Sequence, residues 1–212
     1  ARLERFLQLC AGENIQVVNC TTPSNYFHVL RRQMRRDFRK PLIVMTPKSL
    51  LRNKKCISNI EDFTSKNSFH RVLNDHADFK KYNLIKLKKD TKIKKVIMCS
   101  GKIYFDLIEA RENIKNDEVF IIRIEQLYPF PVKKLAQELK RFKKNAKFYW
   151  CQEEPQNMGA WNTARNYIQW SLDYIKVKNR EVYYIGRKAA ASPATGYLKK
   201  HLAQQKEIID KV

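Results

Sequence analysis

Apolar and polar positions alternate along the first fifty residues with two different periods. Residues 2–10 place apolar side chains at the three- and four-residue spacing of one helical face, which predicts an amphipathic helix. Residues 15–20 form a short β-branched run, and residues 25–38 are helical again. Residues 41–47 are continuously apolar between two prolines, as in a strand buried on both faces. The order helix, strand, helix, strand predicts parallel strands in an α/β fold.

The same alternation continues from residue 94 to the C-terminus and predicts a second α/β unit. The charge-rich residues between the two parts show no sustained period, so we expect them to form a connection. We therefore divide the chain into 1–47, the end of a domain that starts upstream, 48–93, the connecting segment, and 94–212, a self-contained α/β domain of mostly parallel sheet flanked by helices. Strands are predicted in 94–102, 118–131, 146–155 and 182–186, and helices at 102–114, 132–144, 158–176 and 196–211. The runs expected to be central strands are PLIVM, VIMC, FIIRI and FYWC.

A large positive charge changes the set of partners to consider. The chain of 212 residues carries 43 Lys and Arg against 21 Asp and Glu, a formal net charge of +22. Basic patches attract polyanions, so a basic α/β module that binds polyanions or nucleotides is one alternative. No aromatic-interleaved nucleic-acid motif accompanies the charge, and we expect a solvated basic surface without a nucleic-acid partner.

Cysteine, histidine and hydropathy patterns exclude several other classes. The five cysteines are odd in number and widely spaced, which is typical of reduced core thiols, and neither they nor the four histidines have metal-ligand spacing. We expect no metal site in this chain. No apolar run approaches the ~20 residues that span a bilayer, so we expect no membrane association.

The stretch WCQEEPQNMGAW, residues 150–161, carries two adjacent carboxylates near the end of a predicted strand. Neighbouring residues of an extended segment project to opposite sides, so Glu153 and Glu154 cannot flank one substrate as paired catalytic acids do. We expect a structural or subunit-interface role at the carboxyl edge of the sheet.

Six motifs follow one another along the chain: RLERFLQLC, TTPSNYFHVLRRQ with FRKPLIVMTPKSLLR, VIMCSGKIYFDL, RIEQLYPFP, WCQEEPQNMGAW and ASPATGYLKKH. In order and spacing they resemble those of the decarboxylating first component of the 2-oxoglutarate dehydrogenase complex. The resemblance covers nearly all of the chain except about 60–92 and corresponds to the last quarter of the family enzyme. It implies the end of a thiamine diphosphate pyrimidine-side domain followed by a transketolase-type C-terminal domain.

The resemblance implies a role in the tricarboxylic acid cycle: oxidative decarboxylation of 2-oxoglutarate on thiamine diphosphate and Mg²⁺, with the succinyl group passed to a lipoyl group. It implies a homodimer, a dihydrolipoamide succinyltransferase partner, and a location in the bacterial cytoplasm or the mitochondrial matrix. The cofactor motifs and the substrate-contacting histidines of the family lie upstream. We therefore expect no catalytic or cofactor-binding residue in this chain and no activity from it alone.

Two groups of residues are candidates for binding. Lys48, Ser49 and Arg52 follow a predicted strand, and the resemblance implies an acetyl-CoA or adenine nucleotide effector near them. The predicted dimer interface consists of the strand-end loop and first helical turn, namely Gln152, Glu153, Glu154, Met158 and Trp161, whereas the later aromatics Tyr167 and Trp170 should belong to the core. The related pyruvate dehydrogenase and transketolase type remains another alternative, because it shares the C-terminal fold.

Overall fold

The computed structural model describes residues 2–64, 66–79, 82, 84–142 and 144–212. Within them the chain forms two sheets with helices packed on their faces, which confirms the α/β class and the mostly parallel strands. The elements are α1 Leu3–Gln8, β1 Gln16–Val18, α2 Pro23–Arg35, β2 Leu42–Val44, β3 Val72–Leu73, β4 Lys95–Cys99, α3 Ile103–Ile114, β5 Val119–Ile124, β6 Gln126–Tyr128, α4 Val132–Leu139, β7 Lys147–Pro155, α5 Trp161–Tyr174, β8 Val182–Arg187 and α6 Leu198–Ile209.

The larger sheet has the strand order β3-β5-β4-β7-β8, and all its neighbours are parallel except β3 against β5. Alternate side chains of β4 enter different cores: Val96 and Met98 pack with α4 and α5, whereas Ile97 and Cys99 pack with α3 and α6. Both faces are therefore covered, and this explains the nearly continuous apolar runs of the central strands. Thr22 is the N-cap of helix α2, and its side chain accepts a hydrogen bond from the N–H of Asn25.

The smaller sheet has the order β2-β1-β6, and it joins the two parts of the chain. Strand β1 is parallel to β2 and antiparallel to β6, which follows β5 directly. The single strand predicted over 118–131 is thus two strands, because the chain leaves the larger sheet after Ile124 and enters the smaller one at Gln126.

Two further features differ from the sequence prediction. Strand β2 was expected to be central and buried on both faces, but in the described chain it lies at an edge of its sheet and is only half-buried. The connecting segment contains β3 and several short 3-10 turns rather than only irregular chain. Because β3 adds to the edge of the larger sheet, part of this segment packs with the C-terminal unit. The domain boundaries at 47 and 93 remain predictions.

Candidate functional site

The carboxyl edge of the larger sheet is the position where a ligand site is expected. In open α/β sheets, ligands bind outside the carboxyl ends of strands where successive connections leave in opposite directions. Here β5 lies on one side of β4 and β7 on the other, so this point lies at the end of β4. Gly101 follows that strand, Glu125 follows β5, and Gln152 lies in the last part of β7.

The chain itself occupies this position. Asn19 donates its backbone N–H to the carbonyl of Glu125 at 2.8 Å. Gly101 has a φ of +77°, and a Cβ placed there would lie 2.4 Å from Nδ2 of Asn19, so only glycine allows this close approach. The loop after β1 therefore fills the crevice that an open sheet would offer to a ligand.

Glu125 is the centre of the contact between the two parts. Its carboxylate accepts hydrogen bonds from the backbone N–H of Thr21 at 2.8 Å, from the hydroxyl of Thr21, and from Nδ2 of Asn25 at 2.9 Å. Arg123 donates to the Thr21 hydroxyl at 3.1 Å and to the carbonyl of Asn74 at 2.9 Å. Glu125, Thr21 and Arg123 are buried, so these partners replace water for the charged groups.

Burial raises the pKa of Glu125, while the nearby Arg123 and the hydrogen bonds from Thr21 and Asn25 act in the opposite direction. The side chain is fully buried, and its oxygens accept hydrogen bonds from Thr21 and Asn25. It therefore functions as a structural link in this geometry and not as a general acid or base.

Gln152 organises the loop that follows β7. Its Oε1 accepts hydrogen bonds from Nε1 of Trp150 and from the backbone N–H groups of Ala160 and Trp161. Its Nε2 donates to the carbonyl of Met158 at 2.8 Å and to that of Pro155 at 3.1 Å. The amide thus forms hydrogen bonds from inside the fold with the N–H groups at the start of α5 and with carbonyls of the turn before it. Only 3% of Gln152 is exposed.

Glu153 and Glu154 differ in what surrounds them. Glu153 forms an ion pair with Lys102, and its carboxylate also accepts from Gln205 of α6 at 3.3 Å. Burial raises the pKa of Glu154, and the nearby carboxylates of Glu153 and Glu4 raise it further. Glu153 is thus held by partners within the chain, whereas burial is the main influence on Glu154.

The aromatic residues near this loop divide differently from the prediction. Met158 and Trp161 are 6% and 7% exposed, and the Trp161 ring packs 5.2 Å from that of Tyr184. Trp170 was expected in the core, but it is 67% exposed. Tyr167 is half-buried and stacks on Phe130 with ring centroids 4.9 Å apart. The reason is helical phase: Ala164, Ile168 and Leu172 supply the buried stripe of α5, and position 170 lies outside it.

The residues predicted to bind an effector lie together on one short turn. Lys48, Ser49 and Arg52 belong to a 3-10 helix, Lys48–Arg52, and all three are exposed. Lys48 also lines an apolar cavity of about 590 Å³ with Tyr26 and Met45 at the carboxyl ends of β1 and β2.

A second basic group was not singled out as a unit from the sequence. Five arginines line one cavity of about 480 Å³, and no described carboxylate forms an ion pair with any of them. Burial, and then the charges of Arg36 and Arg71, lower the pKa of Arg32 to about 10. Uncompensated like charges in one cavity favour an anion. The arginines are Arg31, Arg32, Arg35, Arg36 and Arg71.

Metal and thiol chemistry find little support in the described residues. No three His, Cys, Asp or Glu side chains among them are grouped so as to hold a metal ion. Burial raises the pKa of the Cys10 thiol to about 11 and raises those of Cys20, Cys99 and Cys151 as well. These thiols are thus protonated at neutral pH and are poor nucleophiles. No helix in the described part of the chain is long and apolar enough to cross a membrane.

The residues that sequence reasoning missed are Thr21, Asn25, Arg123 and Glu125. One signal was visible: Arg123 and Glu125 are charges inside a continuous apolar run, EVFIIRIEQL. Buried charges need partners, so they indicated a polar contact within the fold. The sequence did not show that its partners lie about a hundred residues earlier.

Comparison with known proteins gives the same assignment for both parts of the chain. The family described as 2-oxoglutarate dehydrogenase C-terminal matches residues 57–212, and the transketolase pyrimidine binding domain matches residues 1–54. Proteins named 2-oxoglutarate dehydrogenase E1 component from Brucella ovis, Brucella canis and Brucella abortus are each 59% identical over 204 residues, 96% of this chain. The chain spans 20% of the length of each of these relatives.

Proposed function

This chain belongs to the 2-oxoglutarate dehydrogenase E1 family, and we propose that it is the C-terminal part of an enzyme that oxidatively decarboxylates 2-oxoglutarate. The matches confirm the resemblance drawn from the six motifs, and the transketolase pyrimidine binding match, residues 1–54, precedes the 2-oxoglutarate dehydrogenase C-terminal match, residues 57–212. The 59% identity extends through both parts.

The reaction proposed for the whole protein uses thiamine diphosphate and Mg²⁺, which supply carbanion chemistry when bound. The described residues of this chain do not fit a metal-diphosphate site, because no three potential ligands are grouped. We therefore derive no step of the reaction through this chain. The succinyl acceptor is proposed to be the lipoyl group of a dihydrolipoamide succinyltransferase, and the compartment the bacterial cytoplasm or the mitochondrial matrix.

The contribution of this chain is structural support for the cofactor domain. The single observation that carries this part is the buried carboxylate of Glu125, which holds the loop after β1 through Thr21 and Asn25. A second link supports it, because the Glu4 carboxylate accepts from the N–H of Gly159 at 3.1 Å. The C-terminal sheet thereby fixes α1, β1 and α2, which belong to the pyrimidine-side part.

Dimer assembly is the second role that we propose for the segment from Gln152 to Trp161. Gln152, Met158 and Trp161 are buried within the chain, so they would shape the loop from inside. The partly exposed Glu153 and Glu154 would face the other subunit. In this proposal the two carboxylates make the subunit contact, and Trp161 supports the loop from inside.

Effector binding is a separate candidate function, and the arginine-lined cavity favours it. We propose that Lys48, Ser49 and Arg52, or the arginines of α2 together with Arg71, contact the phosphates of an acetyl-CoA or adenine nucleotide effector. Isothermal titration with acetyl-CoA and with AMP separates the two groups: Lys48→Gln with Arg52→Gln tests the first, and Arg35→Gln with Arg71→Gln tests the second.

Substrate preference tests the main proposal against the related alternatives. The full-length protein that contains this chain is assayed with thiamine diphosphate, Mg²⁺ and an artificial electron acceptor. We expect kcat/KM for 2-oxoglutarate to exceed that for pyruvate by at least about tenfold. A preference for pyruvate would assign the pyruvate dehydrogenase type. Absence of turnover together with salt-sensitive nucleic-acid binding would favour the polyanion module.

A further inference from the structure

The exposed side of α5 differs from the rest of this highly charged surface. Trp170 and Tyr174 are 67% and 76% exposed, although the other two tryptophans, Trp150 and Trp161, are buried. Asn162 and Asn166 precede Trp170 at four-residue spacing, so one helical stripe runs for about three turns without a charge. Charge depletion with exposed aromatic residues is the composition found at the centres of protein interfaces.

This stripe borders a groove between α4 and α5. The groove has a volume of about 410 Å³, and its floor is formed by Val132 and Ala136 of α4. Trp170 and Tyr174 form one wall. We call it the α4–α5 groove. A volume of this size accommodates one aromatic or large aliphatic side chain together with a short length of backbone.

The other wall of the groove is basic. Lys133 and Lys140 line it, and neither has an ion pair within the part of the chain that the structure describes. The neighbouring Lys134, which is not part of the groove, is paired with Glu138 at 2.6 Å. On α5 the acidic Asp173 lies near Gln169, whose Nε2 is 3.4 Å from its carboxylate. Positive charge is thus left uncompensated along the groove while it is paired on the adjacent face of α4.

The charges also bear on the kind of partner. A second copy of this groove would bring its own Lys133 and Lys140 against these lysines, which opposes symmetric self-association there. Lys133 lies in α4 and Lys140 directly follows it, so about 10 Å separates them along the axis. Side chains two positions apart on an extended segment project to the same side about 7 Å apart, a separation that two long lysine side chains can bridge.

We propose that the α4–α5 groove binds an acidic segment of a partner protein, with an apolar side chain against Trp170 and Tyr174 and carboxylates on Lys133 and Lys140. The segment is extended and carries acidic residues at positions i and i+2. An aromatic or large aliphatic residue lies between them. Apolar burial supplies affinity, and the two lysines supply selectivity for acidic partners.

A synthetic peptide tests the proposal directly on the full 212-residue chain. The probe has two glutamates two positions apart with a phenylalanine between them, and the control peptide has glutamines in place of the glutamates. Because Trp150 and Trp161 are buried, acrylamide quenching of tryptophan fluorescence reports mainly on Trp170. We expect the acidic peptide to protect Trp170 from acrylamide and the glutamine peptide to bind at least about tenfold more weakly.

Matched variants separate the groove from the general basic surface. Lys133→Gln with Lys140→Gln should weaken peptide binding about tenfold, whereas Lys199→Gln with Lys200→Gln, which removes two exposed charges of α6, should leave it unchanged. Equal effects of both pairs would overturn the proposal, as would equal binding of the two peptides. Sedimentation adds a further check: a dimer that Trp170→Ser dissociates, without any peptide protection of Trp170, would assign the groove to a second copy.

Discussion

Thr21 and Glu125 are 104 residues apart in sequence, yet the carboxylate of Glu125 accepts hydrogen bonds from both the backbone N–H and the hydroxyl of Thr21. Thr21 lies in the loop between β1 and α2, whereas Glu125 lies where the chain leaves the larger sheet for the smaller one. A buried charge with donors from a distant segment couples the positions of both segments, because separating them leaves the charge without partners.

Glu125 should make the stability of the chain depend on pH. Burial raises its pKa above the ordinary value of 4.5, so the folded chain holds this proton more tightly than the unfolded chain does. The resulting stabilisation is fully present below the unfolded value and is lost as pH rises through the folded value. We expect the free energy of unfolding of the parent, minus that of Glu125→Gln, to decrease between pH 4 and pH 7 when both are measured by urea unfolding. An increase in this difference with pH would contradict the direction of the pKa shift.

Replacing the Gln152 amide with a carboxylate should lower the stability of the fold. In Gln152→Glu the new oxygen would face the carbonyls of Pro155 and Met158, which now accept hydrogen bonds from Nε2. We expect a loss of about 2 kcal/mol or more in the free energy of unfolding, measured in urea. Gln169→Glu, at a partly exposed position of α5, is the matched control and should change stability by less than about 0.5 kcal/mol. Equal stability of Gln152→Glu and the parent would show that the amide is not needed inside the loop.

Trp161 and Trp170 should have opposite effects on folding. Trp161→Ala removes a buried ring that packs on Tyr184, so we expect a destabilisation of about 3 kcal/mol or more. Trp170→Ala changes an exposed ring and should cost less than about 1 kcal/mol. In the full-length protein, sedimentation then shows whether Trp161 also affects the dimer. A mutant that folds as well as the parent but dissociates would return Trp161 to the interface.

The sequence was sufficient for the α/β class and for most elements, because buried parallel strands leave continuous apolar runs and the helices have clear periodicity. It was insufficient where one run serves two sheets: the residues 118–131 look like one strand, and only the partners of β6 show the change of sheet. The exposure of β2 was missed for a related reason. An apolar run reveals that a strand is suited to burial, whereas its position in a sheet depends on other segments.

The candidate sites show the same limit. The expectation that Glu153 and Glu154 project to opposite sides needs no knowledge of the fold, because strand alternation is a local rule. Whether a side chain such as Trp161 packs inside or projects outward depends on which stripe of α5 meets the sheet. The contact of Glu125 with Thr21 depends on long-range topology, which no local pattern specifies.

The isolated chain should lack cofactor chemistry. Since no potential metal ligands are grouped in its described residues, we expect isothermal titration with thiamine diphosphate and Mg²⁺ to show no micromolar binding to the 212-residue chain, and we expect no decarboxylation of 2-oxoglutarate. The full-length protein serves as the positive control. Micromolar affinity in the isolated chain would place a cofactor site within these residues.

We infer that Glu125 joins the pyrimidine-side part of the chain to the C-terminal sheet, and a double-mutant cycle measures this contact. Urea unfolding at neutral pH is recorded for the parent, Thr21→Val, Glu125→Ala and the double variant. The exposed pair Lys206 and Asp210, which forms an ion pair, provides a control cycle with expected coupling below about 0.5 kcal/mol. We expect a coupling of about 1.5 kcal/mol or more between Thr21 and Glu125, because each single change leaves the other group buried without its partner. Additive effects of the two changes, within about 0.3 kcal/mol, would show that Glu125 does not join the two parts through Thr21.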